Sequence, residues 1–344
     1  MALGNNADTD FSDVILLSGV NLKRNYAGIP FPAKMNEEQL NDLRENTLSL
    51  LNERFSGIRL DKSTVQKEEA LSLCHLIEEA CFYEEDEDCP NALRVSLAGS
   101  TKLSITINRE DHLNFSAFIR DSDISRVPGI ILPMEKALMR QGDYAFDENW
   151  GYLTSSVKST GNAMTGVYLL SLTGLNRMDL LESEKESLRQ KHMELKRLTG
   201  SEAEDCELFC LSSTRQMGKS AMDVLNDLSK AAEELVYRER DAREELIYDD
   251  TDDFADSVMR ALAILMNARL MDFEEFLAMY ADVRAGLATG FAEGSFKDLD
   301  DIANEVSREE LRRNYKDLSQ RDEELLRADI CRRRFSERMK TIRI

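Results

Sequence analysis

The chain has no apolar run approaching the roughly eighteen residues that a membrane-crossing helix needs. Its opening, MALGNNADTDFSD, also lacks the basic and apolar regions of a signal peptide. Both absences give the expectation of a cytoplasmic protein with no membrane association. Positive charge is scarce: 44 Lys and Arg stand against 65 Asp and Glu, a formal net charge of −21. Nucleic acids and anionic membranes are polyanions, so nonspecific binding to either is excluded. One stretch departs from this balance, where Arg327, Arg332, Arg333, Arg334, Arg338, Lys340 and Arg343 crowd together. No CxxC pair occurs among the six cysteines, which reads as free thiols in a cytosolic protein. Cys206, Cys210 and His192 do not have the spacing of a zinc module, so no metal is expected.

What is present describes a folded protein. Hydrophobic residues make up 42% and charged residues 32%, and 344 residues suffice for two cores. Residues 36–55 place Leu40, Leu43, Leu48, Leu50, Leu51 and Phe55 on one broad helical face, and a second helix reads through 65–82. Alternation at 93–97 and 103–107 predicts a hairpin. Further strands are expected at 144–154, 164–172 and 207–212, and helices at 128–140, 176–197 and 219–247, the last capped by Ser220. Beyond the acidic break DDTDDF the pattern is helical throughout: 252–271, 272–285, 297–317 and 319–340. The expected class is α+β: an antiparallel sheet flanked by helices in 1–250, then an all-α domain in 251–344.

Five collinear segments carry a family resemblance. They are DVILLSGVNLKRNYAGIPFP (13–32), ITINREDHLN (105–114), YAFDENWGYLTSSVKSTGNAMTGVYLLSL (144–172), GSEAEDCELFCLSSTRQMGKS (200–220) and ALAILMNARLMDFEEFLAMYADVRAGLATGF (261–291). Together they resemble the bacterial protein-arginine kinases of the ATP:guanido phosphotransferase family. The resemblance implies transfer of the ATP γ-phosphoryl group to a guanidinium, with Mg²⁺. It also implies phosphate-binding arginines, carboxylates that hold the guanidinium, and a cysteine beside it.

Residue by residue, the chain departs from that pattern. Where the family has SSRIR, this chain has Leu17-Ser18-Gly19-Val20-Asn21, so Gly19 and Asn21 replace two phosphate arginines. Asn114 and Thr165 replace two more, and Ser156 replaces the cysteine. Glu110 and Glu202 match the catalytic glutamates, with one residue inserted after Glu202, and Arg197 sits where relatives keep another phosphate arginine. A hydrogen bond to a charged group is worth roughly 1.5–3 kcal/mol. Losing four arginines therefore removes up to roughly 6–12 kcal/mol of transition-state binding, although such terms do not add simply. The expectation is an impaired pseudokinase with a regulatory or scaffolding role. The alternative is an active phosphotransferase that recruits other cations: Lys23, Arg24, Lys158 or Arg215.

Each candidate also has a plainer reading. Glu110 is also a polar strand end, Arg197 a cation closing the 176–197 helix, and His112 a hydrogen-bonding residue. The resemblance implies a phosphoarginine site through an RDxxRA-like motif, nearest at Arg321-Asp322 with Arg327-Ala328, two residues too long. It further implies protein partners: a zinc-binding kinase activator, the Clp unfoldase–protease system, or an active paralogue. The basic 321–343 face is the expected contact. The surplus of apolar residues in 261–291, such as Leu262, Ile264, Leu265, Phe273, Phe276 and Leu277, suggests a homodimer.

Overall fold

A computed structural model describes residues 10–55, 60–64, 72–83, 91–97, 102–139, 142–198, 206–214, 217–315 and 317–341. Glu202, Arg215 and the expected helical stretch 65–71 lie outside these residues.

The strands are β1 (Ile15–Arg24), β2 (Leu60–Thr64), β3 (Leu93–Leu97), β4 (Lys102–Ile107), β5 (Leu113–Ile119), β6 (Phe146–Asp147), β7 (Gly151–Tyr152), β8 (Met164–Ser171), β9 (Met193–Arg197), β10 (Leu208–Ser213), β11 (Ala292–Glu293) and β12 (Lys340–Thr341). The helices are α1 (Glu37–Arg54), α2 (Leu73–Cys81), α3 (Pro128–Leu138), α4 (Thr173–Arg177), α5 (Leu181–Gln190), α6 (Ala221–Asp249), α7 (Thr251–Asn267), α8 (Phe273–Thr289), α9 (Phe296–Glu305), α10 (Arg308–Asn314) and α11 (Gln320–Arg338). Eight strands form one antiparallel sheet in the order β2-β3-β4-β5-β1-β8-β10-β9.

β1 runs through the middle of this sheet with all ten residues buried, so helices must cover both faces. Side-chain alternation divides them. Val20 and Leu22 share one face with Phe115, Ala117, Leu170, Phe209 and Leu211, under α1, α3 and α6. Leu17, Val167, Leu169, Leu208 and Cys210 line the other, under α2 and the helices that follow residue 250. Those late helices therefore build their core directly on the sheet. Leu262, Leu265, Phe273, Phe276 and Leu277 are all buried there. Most of the apolar surplus of 261–291 is therefore spent within the chain, with Ile264 left on the surface.

Local chemistry sets the helix ends. Asn36 and Gln39 form a capping box on α1, Ser220 caps α6, Asp250 caps α7, and Ser319 with Asp322 boxes α11. α8 stops at Gly290, whose φ of 82° suits glycine.

Several expectations need correction. The helix expected over 176–197 is two short helices followed by strand β9, because His192 at φ 59° turns the chain and Met193 and Leu195 alternate inward beside β10. Segment 144–154 is a tight hairpin, with Asp147 accepting from the Asn149 and Trp150 amides and Gly151 at φ 78°. Helix 297–317 breaks at Val306, and Ser307 caps the second half. The helical region also holds one two-residue strand pair, β11 with β12.

Candidate nucleotide face

The four substituted phosphate positions meet on one face of the sheet. Asn21 of β1 lies opposite Ser116 of β5 and Thr165 of β8, and the next row pairs Lys23 with Asn114. Gly19, two residues earlier, lies opposite Phe118 and Val167. Ser18 alternates to the opposite side, where its hydroxyl donates to the Asp121 carbonyl at 2.6 Å.

This face is dry where an anion would need cations. Asn21 is 1% exposed and Asn114 is fully buried. The Asn21 amide donates to the Ser116 hydroxyl at 3.1 Å, while its oxygen and the whole Asn114 amide lack hydrogen-bond partners. A Cβ placed on Gly19 would meet the Phe118 ring at 2.3 Å. Phe118 in turn stacks on Phe82, with ring centroids 6.1 Å apart.

Helix α2 and the residues that close it supply this roof, and charge pairs anchor it. Glu78 accepts from Arg94 at 2.9 Å and from the Ser104 hydroxyl at 2.7 Å. Burial pushes the Glu78 carboxyl up, but Arg94 and these hydrogen bonds outweigh it and hold it below the ordinary carboxylate value. Glu79 takes a two-pronged contact from Arg109, at 2.6 and 2.8 Å. The Arg109 guanidinium also lies 3.6 Å over the Tyr83 ring, and the Tyr83 hydroxyl donates to Thr106 at 3.1 Å. Sequence reasoning missed these anchors. LIEEAC carries two adjacent glutamates, but nothing local marks them as buried.

Glu110 sits where β4 turns into β5. Lys23 Nζ lies 2.8 Å from its carboxylate, and both side chains are buried. Asp111 beside it accepts from Asn25 at 2.6 Å and from the Ser155 amide at 2.8 Å. His112 accepts from the Tyr26 amide through Nδ1 at 3.0 Å, which leaves Nε2–H to donate to the Pro30 carbonyl at 2.8 Å. Burial pushes its pKa down, and both ring nitrogens are engaged, so His112 is structural. Ser156, at the cysteine position, starts a single 3₁₀ turn, Val157–Ser159, and its carbonyl accepts from Thr154 at 2.8 Å. Arg24 pairs with Glu135 at 2.7 Å and stacks 3.5 Å over Tyr152.

The remaining candidates do not join this face. Arg197 lies opposite Phe209, on the other side of the sheet, where it bonds the Asn176 side chain at 2.9 Å and the Cys206 carbonyl. It closes a strand, so the helix-dipole reading fails as well. Arg321 is exposed beside Glu324, Asp322 caps α11, and buried Arg327 donates to the Val306 and Met271 carbonyls, each at 2.9 Å. These three form no common pocket. The charges of the basic helix are also compensated: Arg332 and Arg333 pair with Asp329 of the same helix, Arg334 with Glu305 and Arg338 with Asp298 of α9.

The fold and the row of positions at Gly19, Asn21, Asn114 and Thr165 define a guanidino-kinase architecture, and comparison with known proteins agrees. The family "ATP:guanido phosphotransferase, C-terminal catalytic domain" matches residues 35–242, so the chain belongs to the ATP:guanido phosphotransferases. Within them it falls in the protein-arginine kinase family, since "Protein-arginine kinase McsB C-terminal domain" matches residues 251–343. The protein-arginine kinase of Clostridium acetobutylicum is 26% identical over 94% of this chain and 96% of its own length. That of Pelotomaculum thermopropionicum is 26% identical over 84% and 82%. Lombricine kinase shares the fold at a TM-score of 0.52 and 14% identity, covering 70% of each chain. The duplicated taurocyamine kinase of Schistosoma mansoni does so at 0.55 and 14%, covering 78% of this chain and 40% of that one. Among the described residues no helix is long and apolar enough to cross a membrane.

Proposed function

We propose that the chain is a catalytically impaired protein-arginine-kinase-like protein that acts by binding rather than by phosphoryl transfer. The observation that carries this reading is the closed nucleotide face: Phe118 covers Gly19, and Asn21 and Asn114 are buried without charge. The family uses ATP, but these residues do not fit a triphosphate with its Mg²⁺. Four positions that should bring positive charge bring none, and the space above Gly19 is filled by a ring. Lys23 supports the same reading at the acceptor side. Its ammonium occupies the Glu110 carboxylate, the group the family offers to a guanidinium.

The alternative, an active phosphotransferase with substitute cations, loses two of its candidates to other duties. Lys23 is held by Glu110 and Arg24 by Glu135. The retained role on this reading is regulatory or scaffolding, through a kinase activator, the Clp machinery or an active paralogue in the cytoplasm. Incubation of the full chain with ATP·Mg²⁺ and an arginine-rich protein, followed by mass spectrometry under non-acidic conditions, tests it. No phosphoarginine above the enzyme-free blank is expected. Multiple turnovers would overturn the proposal.

A further inference from the structure

Four of the six cysteines lie where α2 meets the sheet. Cys74 and Cys81 are seven residues apart, on one face of α2, and Cys206 and Cys210 belong to the β10 segment that α2 packs against. Cys74, Cys206 and Cys210 are buried in one apolar cluster, with partly exposed Cys81 packed against it. The Cys81 and Cys210 thiols are within hydrogen-bonding reach of each other. The other anchors of α2 hold it to β3, β4 and β5 through Arg94, Ser104 and Phe118. The cysteine contact reaches the far side of the sheet.

We propose that Cys81 and Cys210 are a reversible dithiol–disulfide pair that pins α2 to β10. A low-molecular-weight disulfide is the oxidant. The Cys81 thiolate attacks one of its sulfurs, releasing one small thiol and leaving a mixed disulfide on Cys81. The small thiolate released in that exchange takes the Cys210 proton, and the resulting Cys210 thiolate attacks the Cys81 sulfur, forming the protein disulfide and releasing the second small thiol. The two protein thiols lose two electrons and the small disulfide gains them. The order follows from access, since Cys81 alone of the four is partly exposed. Hydrogen bonding to Cys81 and burial also keep the Cys210 thiol protonated. Cys210 lies in the row of Leu169 and Leu17, beside the Gly19 row, and Cys81 precedes Phe82, which stacks on the Phe118 ring over Gly19, so the redox state sets how readily the roof over the nucleotide face lifts.

The test uses the purified full chain, equilibrated with oxidised or reduced glutathione and mapped by non-reducing peptide mass spectrometry. The expected result is a Cys81–Cys210 peptide pair that dithiothreitol reverses. Oxidation should raise the thermal midpoint by about 5 °C and slow amide exchange in 73–81 at least about tenfold. Cys81→Ser and Cys210→Ser should each abolish all three changes, whereas Cys331→Ser keeps them. Cross-links confined to Cys89, or formed only between chains, would overturn the proposal, as would Cys81 and Cys210 both remaining alkylatable after oxidation. None of these readouts depends on whether nucleotide binds.

Discussion

Lys23 Nζ lies 2.8 Å from Glu110 Oε2, and neither side chain has more than 5% of its surface exposed. Breaking such a pair from one side strands a buried charge. Lys23→Met is expected to cost about 3–5 kcal/mol in urea unfolding. Adding Glu110→Leu should recover most of that loss, because it removes the stranded carboxylate. Equal losses in the single and double variants would show that packing, not charge pairing, holds this corner.

Gly19 cannot regain its family arginine in place. Its missing Cβ would lie 2.3 Å from the Phe118 ring, so even Gly19→Ala should cost roughly 1–3 kcal/mol by overpacking. Phe118→Leu should relieve part of that penalty in the double variant. Gly19→Arg with Asn21→Arg should unfold at lower denaturant and bind ATP no better. A double-arginine variant as stable as the parent would mean that the roof moves aside freely.

Arg327 is a clip between the residue after α9 and the loop before α8, through the Val306 and Met271 carbonyls. Arg327→Ala should lower stability by about 3 kcal/mol, since two buried carbonyls lose a charged donor. Phosphoarginine added at about 1 mM should leave the thermal midpoint of the parent chain unchanged, because ligand at concentrations below its dissociation constant adds little stability. A clear upward shift lost in Arg327→Ala would restore this residue to a ligand site.

Much of the fold follows from short-range signals. The apolar runs at 164–171 and 208–213 and the cap at Ser220 are local chemistry. The substituted row was legible because Gly19, Asn21, Asn114 and Thr165 fall within motifs. The roof was not. Glu78 and Glu79 meet Arg94 and Arg109 across 16 and 30 residues, and no periodicity encodes such pairs. MELKR at 193–197 is built largely from good helix formers, yet pairing with β10 makes it an edge strand. Arg327 looked like a ligand group because its burial comes from the segments around Val306 and Met271, which leave no trace in its own helix.

Two buried histidines fix the acid side of stability. Burial pushes His75 and His112 below the ordinary value of 6.5. The unfolded chain therefore binds protons that the folded chain refuses. Stability is complete above about pH 6.5 and falls as the pH drops below it, by up to about 1.4 kcal/mol per pH unit for each histidine. Urea unfolding at pH 7.5, 6.5 and 5.5 should show the decline, and His75→Gln should remove its share. A pH-independent midpoint across that range would contradict the neutral, buried assignment.

Isothermal titration calorimetry of the full chain with ATP·Mg²⁺ decides whether the nucleotide face is closed. With Phe118 over Gly19 and no charge at Asn21, Asn114 or Thr165, the expected dissociation constant is about 1 mM or weaker. A value on the order of 10 μM or tighter corresponds to about 7 kcal/mol of binding. Contacts of that strength on this face would contradict a closed, uncharged site.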